Sequence, residues 1–403
     1  MQDFEWIVVV IPVVSALVGW ITNVVAVKMM FSPIEFVGLP PYLGWQGIVP
    51  ANAKDFAGKA AQLITGKLVN LQTALSSFNS QDFASGHLGS AIDSQTEEIL
   101  GEFDARMTAA GNPPLADQPK AVIRKLLRKE ISDISTQLLD EVSADVDSYI
   151  DSVQIVMDAA EKDKELIGQI FQEVGDSEFE FVRRSGGYFG LLFGIIQMVA
   201  WLLFPIWWVL PLFGFFVGYV TNWLALKLIF EPAKPTKVGP WVLQGLFHKR
   251  QQEVSVKFAT LISGEILNPE TMVQHIMDGP GGKKIMDSLT VKIGNLLAKY
   301  RENPMFSMAI PANEWSVIEQ ETIARVREEI PKPGGILYAF TAGAFDIFKN
   351  LSESMAQLDS ETFESVLRPS FQQDEWKLIL AGGMLGLGAG VLQVVFLFGQ
   401  QLG

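Results

Sequence analysis

Most of this chain alternates apolar and polar positions with a helical period, but four stretches do not. Trp6–Phe31, Gly186–Phe204, Ile206–Phe230 and Leu378–Phe398 stay apolar on every face for 19 to 26 residues. Roughly 20 residues of helix cross the hydrocarbon of a bilayer, and soluble core helices rarely stay apolar all round for that length. The pattern predicts four membrane helices, the second and third joined by a short turn at Pro205. A cleaved leader fits the first run poorly, because its start, MQDFEW, is acidic and the run is long.

The remaining segments carry helical stripes. Phe56, Ala60, Leu63, Ile64, Leu68 and Leu71 share one face between Lys54 and Leu75. Val254, Phe258, Leu261 and Ile262 form a second stripe, and Ile123, Leu127, Ile131, Ile134, Leu138 and Val142 a third. Breakers fall at Gly111–Pro114, Pro304, Pro311 and Pro331–Gly335. The run ILYAFTAGAFDIFKNL is short and holds Asp346, so it reads as a cytoplasmic amphipathic helix and not a fifth crossing. No sustained period-2 pattern marks a strand. The expected class is an all-α integral membrane protein with helical extensions.

The chain also repeats itself. IPVVSALVGWITNVVAVKMMFSP matches LPLFGFFVGYVTNWLALKLIFEP without a gap, and Gly58–Thr73 matches Val256–Thr271. GGYFGLLFGIIQMV from Gly186 matches GGMLGLGAGVLQVV from Gly382. This divides the chain at 1–204 and 205–403. Repeat one has spans at 6–31 and 186–204 around a helical lobe, 32–185; repeat two has spans at 206–230 and 378–398 around 231–377. Each unit crosses twice, so both enter the membrane in the same sense. That predicts a pseudo-two-fold axis along the membrane normal.

Small residues recur every fourth position within the spans. Gly186, Gly190 and Gly194 make one stripe and Gly382, Gly386 and Gly390 another. Ser15, Gly19 and Asn23 answer them in the first run, and Gly214, Gly218 and Asn222 in the third. In lipid, such faces let helix backbones approach closely. Thr22, Asn23, Thr221, Asn222, Gln197 and Gln393 then fall on packed faces, since an amide facing lipid costs several kcal/mol. Two readings stand: the amides glue helices together, or they line a polar cleft for an ion or a lipid head group. Asn23 and Gln197 lie at depths that differ by roughly 10 Å at 1.5 Å per residue, which disfavours one tight site.

Charge sets the orientation. All Lys and Arg lie between Lys28 and Lys377, and none lies between Arg184 and Lys227. The positive-inside rule places the large segments in the cytoplasm and both termini outside, in a bacterial inner membrane. Lys28, Lys227, Arg183 and Arg184 are candidate contacts to lipid phosphate, by snorkelling or flanking position. Tyr42, Trp45 and Trp241, in Val37–Gly47 and Val238–Gly245, suit the head-group layer, with re-entry left open. The basic start His248–Arg250 suits anionic lipid.

The net charge of −14 argues against nucleic acid as a partner. Residues 86–180 hold 21 acidic and 8 basic residues, a solvated or lipid-repelled lobe. The absence of cysteine removes thiolate zinc sites and thiol catalysis. His87, His248 and His275 lack metal-ligand spacing, and no phosphate-binding or nucleophile-elbow motif is present. The expectation is a non-enzyme without a cofactor, in contact with membrane lipids and an unknown protein partner of the lobe. A homo-oligomer stays open.

The segment G[WY][IV]TNxxAxK[ML]xFxP, the helix GxxxGxxxGxxQ and FQQDEW at Phe371–Trp376 resemble the bacterial membrane-protein family known as domain of unknown function 445. The resemblance covers both halves and implies a membrane protein with helical cytoplasmic extensions. It supplies no catalytic residues. Repeat one has FEFVRRS where repeat two has FQQDEW, so the halves need not be equivalent in function. The leading expectation is a membrane-anchored scaffold or assembly factor. The alternative is transport or lipid handling through a polar cleft at the repeat interface.

Overall fold

The computed structural model describes residues 2–39, 43–63, 88–109, 111, 113–114, 116–304, 312, 314–343, 346–368 and 374–398. The predicted loop residue Tyr42, the histidine His87, the stripe beyond Leu63 and the start of FQQDEW lie outside the described residues.

Four helices are long and apolar enough to cross a membrane. They are labelled α1 (Gln2–Phe31), α2 (Asp176–Leu203), α3 (Val209–Phe230) and α4 (Glu375–Phe398), and other elements are given by range. All four starts differ from the hydropathy reading; α1 and α4 begin at Gln2 and Glu375, four and three residues before Trp6 and Leu378. α2 starts ten residues before Gly186, because the polar turn Asp176–Ser185 continues the same helix outside the apolar window. α3 starts at Val209, three residues after Ile206, because Phe204–Trp208 is spent on the turn between α2 and α3.

Polarity within these helices is reversed relative to a soluble bundle. Val13, Leu17, Trp20, Leu192, Phe216 and Leu392 are exposed, whereas Ser15, Thr22, Asn23, Thr221, Asn222 and Gln197 are buried. Exposed apolar faces around a polar-bearing interior suit hydrocarbon as the solvent. The chain is a membrane protein built almost wholly of helices.

Packing separates two compact units. The first is Met1–Leu63, Val156–Leu261 and Leu351–Gly403; the second is Ile64–Ile155 and Ile262–Asn350. Each takes chain from both sequence halves, so packing divides the chain differently from the repeat. In the first unit α1 pairs chiefly with α2, and α3 with α4. Short helices close this unit: Ala53–Leu63 packs on Ser360–Leu367, and Gln251–Leu261 on Lys164–Val174. The second unit is built on Gly89–Ala109, Asp117–Ala144, Pro269–Asp278, Pro280–Arg301 and Glu314–Glu329. The run from Ile336 forms two short helices, Ile336–Gly343 and Ile347–Ala356. Neither is long enough to span.

Strands do occur, contrary to the absence of a period-2 signal. Val37–Leu39 pairs with Leu43–Trp45, and Thr236–Val238 with Trp241–Leu243, as antiparallel ribbons. Three residues per strand are too few to show alternation. Side-chain and backbone bonds tie both ribbons to the preceding turn: Gly47 N donates to Pro33 O, and Gly245 N to Pro232 O. Gln46 Nε2 donates to Ile34 O, and Gln244 Nε2 to Ala233 O.

Candidate functional site

The two antiparallel helix pairs touch through backbone. A Cβ added to Gly19 would overlap the Gly186 carbonyl oxygen, and one on Gly186 would overlap that of Gly19. Gly190 and Gly194 continue the seam against Ser15 and Pro12. In the second pair Gly218 meets Gly382, Gly214 meets Gly386, and Gly390 meets Leu210 and Pro211. Every predicted packing glycine therefore lies in a seam.

Close approach puts the asparagines within reach of the opposite backbone. Asn23 Nδ2 donates to Val182 O at 2.6 Å, and Asn222 Nδ2 donates to Leu378 O at 2.9 Å. The two amides are 0% and 3% exposed. Their Oδ1 atoms accept no hydrogen bond from the described residues. The adjacent hydroxyls turn back on their own helices: Thr22 Oγ1 donates to Gly19 O and Thr221 Oγ1 to Gly218 O.

The deeper layer is not duplicated. Ser15 Oγ donates to Gln197 Oε1 at 2.7 Å. Gln393 is also buried, but Gly214 stands where the first pair has Ser15, so this bond has no counterpart. Beyond Gln197, Ile11, Trp201, Val209, Leu210 and Val394 form a continuous apolar cluster. Asn23, Asn222 and the Ser15–Gln197 pair are thus separate helix-to-helix ties, while Thr22 and Thr221 bond within their own helices.

The basic residues near the span ends behave differently from one another. Lys28 is exposed, as snorkelling requires. Lys227 is exposed, 3.5 Å from Glu231 and over the Trp223 ring. Arg183 and Arg184 share one carboxylate, Glu180, at 2.8 and 2.6 Å. Of the ribbon aromatics, Trp241 is 73% exposed. Trp45 instead donates its indole N–H to Met29 O.

His248–Arg250 does not present a basic start to lipid. His248 is buried, its Nε2 3.1 Å from Phe230 O and 3.2 Å from Glu364 Oε2. Arg250 Nη1 donates to Glu178 Oε1 at 2.7 Å, and Arg250 also pairs with Glu253. The Glu253 bond raises the Arg250 guanidinium above its usual range; burial opposes it and Glu178 adds to it. Only Lys249 of the three points outward. Sequence reasoning missed these partners because Glu178 and Glu364 are 72 and 116 residues away along the chain.

One arrangement was legible in principle from the repeat. Asn52 stands six residues before Gly58, and Arg250 six before its match, Val256. Glu178 stands eight before Gly186, and Asp374 eight before Gly382. Asn52 Nδ2 donates to Asp374 Oδ2 at 3.0 Å, while Arg250 pairs with Glu178. Each half thus reaches an acid at the start of the other half's second span. Reciprocal contacts of this kind are what a two-fold relation produces.

A mainly apolar cavity of about 50 Å³ lies among all four spans, with Met30, Val182, Asn222 and Ile229 in its wall. Among the described residues no group of His, Asp and Glu could hold a metal ion.

Comparison with known proteins finds UPF0754 membrane proteins. One from Synechococcus elongatus is 33% identical over 70 residues, 17% of each chain. One from Synechococcus sp. strain JA-2-3B'a(2-13) is 36% identical over 72 residues, 17% of this chain and 18% of the relative. One from Bacillus cereus is 23% identical over 134 residues, 32% of this chain and 33% of the relative. The chain therefore spans a third or less of the length of these relatives. No family model and no solved structure matches it. The relatives' names state that they are membrane proteins, which agrees with the resemblance carried by the span motifs.

Proposed function

We propose that this membrane protein is an anchored scaffold or assembly factor. A closed bundle of four spans holds an acidic helical region that binds a protein partner in the cytoplasm. The observation that carries this reading is the pair of asparagine amides, each spent on a backbone carbonyl of the neighbouring span. Amides that glue helices need no permeant species to explain them. The reciprocal Asn52–Asp374 and Arg250–Glu178 contacts support a tandem duplication with a two-fold axis along the membrane normal. The same reading makes the chain a non-enzyme of the inner membrane with both termini outside.

The second reading, ion or lipid transport along the bundle, draws on the Oδ1 atoms of Asn23 and Asn222, which accept no hydrogen bond from the described residues. Proteoliposome flux separates the two. The scaffold reading expects ion and lipid flux at the protein-free rate, and lowered stability or complex recovery in the double variant Asn23→Leu, Asn222→Leu. Flux above background that Asn23→Ala or Gln197→Ala suppresses in folded protein contradicts it.

A further inference from the structure

In the second unit the side chains of the described residues leave a space between helices. A cavity of about 190 Å³ lies between the helices Gly89–Ala109, Asp117–Ala144, Pro280–Arg301 and Glu314–Glu329. Leu127, Ile131, Ile134, Leu289, Ile293 and Leu296 provide much of its wall. Leu289 and Ile293 are buried, but Leu127, Ile131, Ile134 and Leu296 are only half-buried. Protein interiors normally pack to the density of organic crystals. Aliphatic side chains that leave a gap between helices forfeit dispersion contacts. An apolar ligand would restore those contacts.

The rim says what kind of ligand. Arg325 is engaged by Glu98 and Glu102. Glu130 receives Lys299 Nζ and Tyr300 Oη. Glu329 pairs with Lys332, and Ser135 Oγ donates to Ile131 O. Each of these rim charges is already matched within the unit. The wall therefore offers hydrocarbon contact without a free cation to grip a head group. Dry apolar cavities of about 150 Å³ take up benzene, so this one suits a run of alkyl chain.

We infer that this cavity binds the hydrocarbon chain of a lipid or fatty acid, with recognition by chain and not by head group. This inference does not rest on the scaffold reading, whose carrying observation is the asparagine amides of the spans. It has a quantitative signature. Each methylene that enters an apolar site strengthens binding about fourfold. Affinity therefore climbs with chain length until the cavity is full and then levels off, whether the chain ends in an alcohol or a carboxylate.

The test uses the full-length protein in lipid nanodiscs. A dodecanol carrying a diazirine near its methyl end is added and irradiated, and adducts are mapped by mass spectrometry. A parallel sample carries the same diazirine chain in the nanodisc phospholipid, which separates a free chain from a membrane lipid as the source. The expected result is adducts within Leu127–Ile134 and Leu289–Leu296 in one or both samples. Unlabelled alkanols should compete about fourfold better per added methylene up to the plateau. Ile134→Phe with Leu296→Phe fills the cavity and should lower adduct yield at least fivefold; Val317→Phe, at an exposed position on Glu314–Glu329, should not. Adducts confined to the spans, equal labelling of the filled variant, or no competition on the wild-type protein overturns the inference. If the filled variant does not fold, competition on the wild type decides.

Discussion

An alanine at Gly218 would push one methyl group into the carbonyl of Gly382, where the helices touch through backbone. At Gly388, on the same α4 helix as Gly382, nothing lies within 4 Å. The same substitution should therefore have opposite signs. Gly218→Ala should destabilise by about 1–3 kcal/mol through overpacking, while Gly388→Ala should be neutral or gain up to about 1 kcal/mol of helix propensity. Thermal unfolding in one fixed detergent distinguishes them. Asn222→Ala should cost far less, about 0.6 kcal/mol, the average for an interhelical hydrogen bond in a membrane. These residues were readable in the sequence because lipid gives little reason for glycine at every fourth position except close contact. The partner atoms were not readable. The repeat implied that Gln393 should act like Gln197, and it was Gly214 in place of Ser15 that removed the bond.

At the scale of elements, the least predictable contacts join short helices to span ends. Arg250 sits just after Leu246–Lys249 and reaches Glu178 in the first turn of α2. Removing one partner of a buried ion pair costs about 3–5 kcal/mol. Arg250 keeps about a fifth of its side chain exposed, so Arg250→Ala should fall at the lower end of that range. Arg250→Asn with Glu178→Asp rebuilds the Asn52–Asp374 pair at this position and should recover most of the loss, as read by a double-mutant cycle. Helical periodicity found Asp117–Ala144 because its stripe runs through several turns. It could not find ribbons of three residues per strand, or anticipate that the His248–Arg250 turn is tied inward by distant carboxylates.

Within the second unit, Glu141 joins Asp117–Ala144 to Pro280–Arg301 through Lys292 and Ser288. Burial pushes its carboxyl up, but the bonds from Lys292 and Ser288 outweigh burial and hold it below the usual carboxylate range. A carboxyl lowered in the folded state stabilises above its unfolded value, about 4.3, and that contribution is lost as pH falls through the folded value. Glu141→Gln should therefore lose less stability than wild type between pH 6 and 3. Tyr300 has the opposite sense: burial, aided by the bond to Glu130, pushes its hydroxyl up to about 12. Its contribution is complete below the unfolded value near 10 and disappears as pH rises through about 12. Tyr300→Phe should remove a step near pH 12 from an ultraviolet tyrosine titration of the folded protein.

For the whole molecule, the sequence divides at 204 while packing divides it into two units that each draw on both halves. Periodicity reports which face of a helix is apolar, not which distant segment covers it, so the matching segments of the two halves were visible and the interleaving was not. The four spans were visible because the bilayer demands length and uniform hydrophobicity. Their orientation rests on the placement of Lys and Arg, and the chain is suited to testing it because it has no cysteine. Trp207, in the turn between α2 and α3, and Val291, in the second unit, are 63% and 62% exposed. The most direct measurement is labelling of single-cysteine variants in intact cells with a membrane-impermeant maleimide. The anchored-scaffold account predicts that Trp207→Cys is labelled and that Val291→Cys is labelled only after the inner membrane is permeabilised. Labelling of Val291→Cys in intact cells would place the acidic helical region outside and contradict the account.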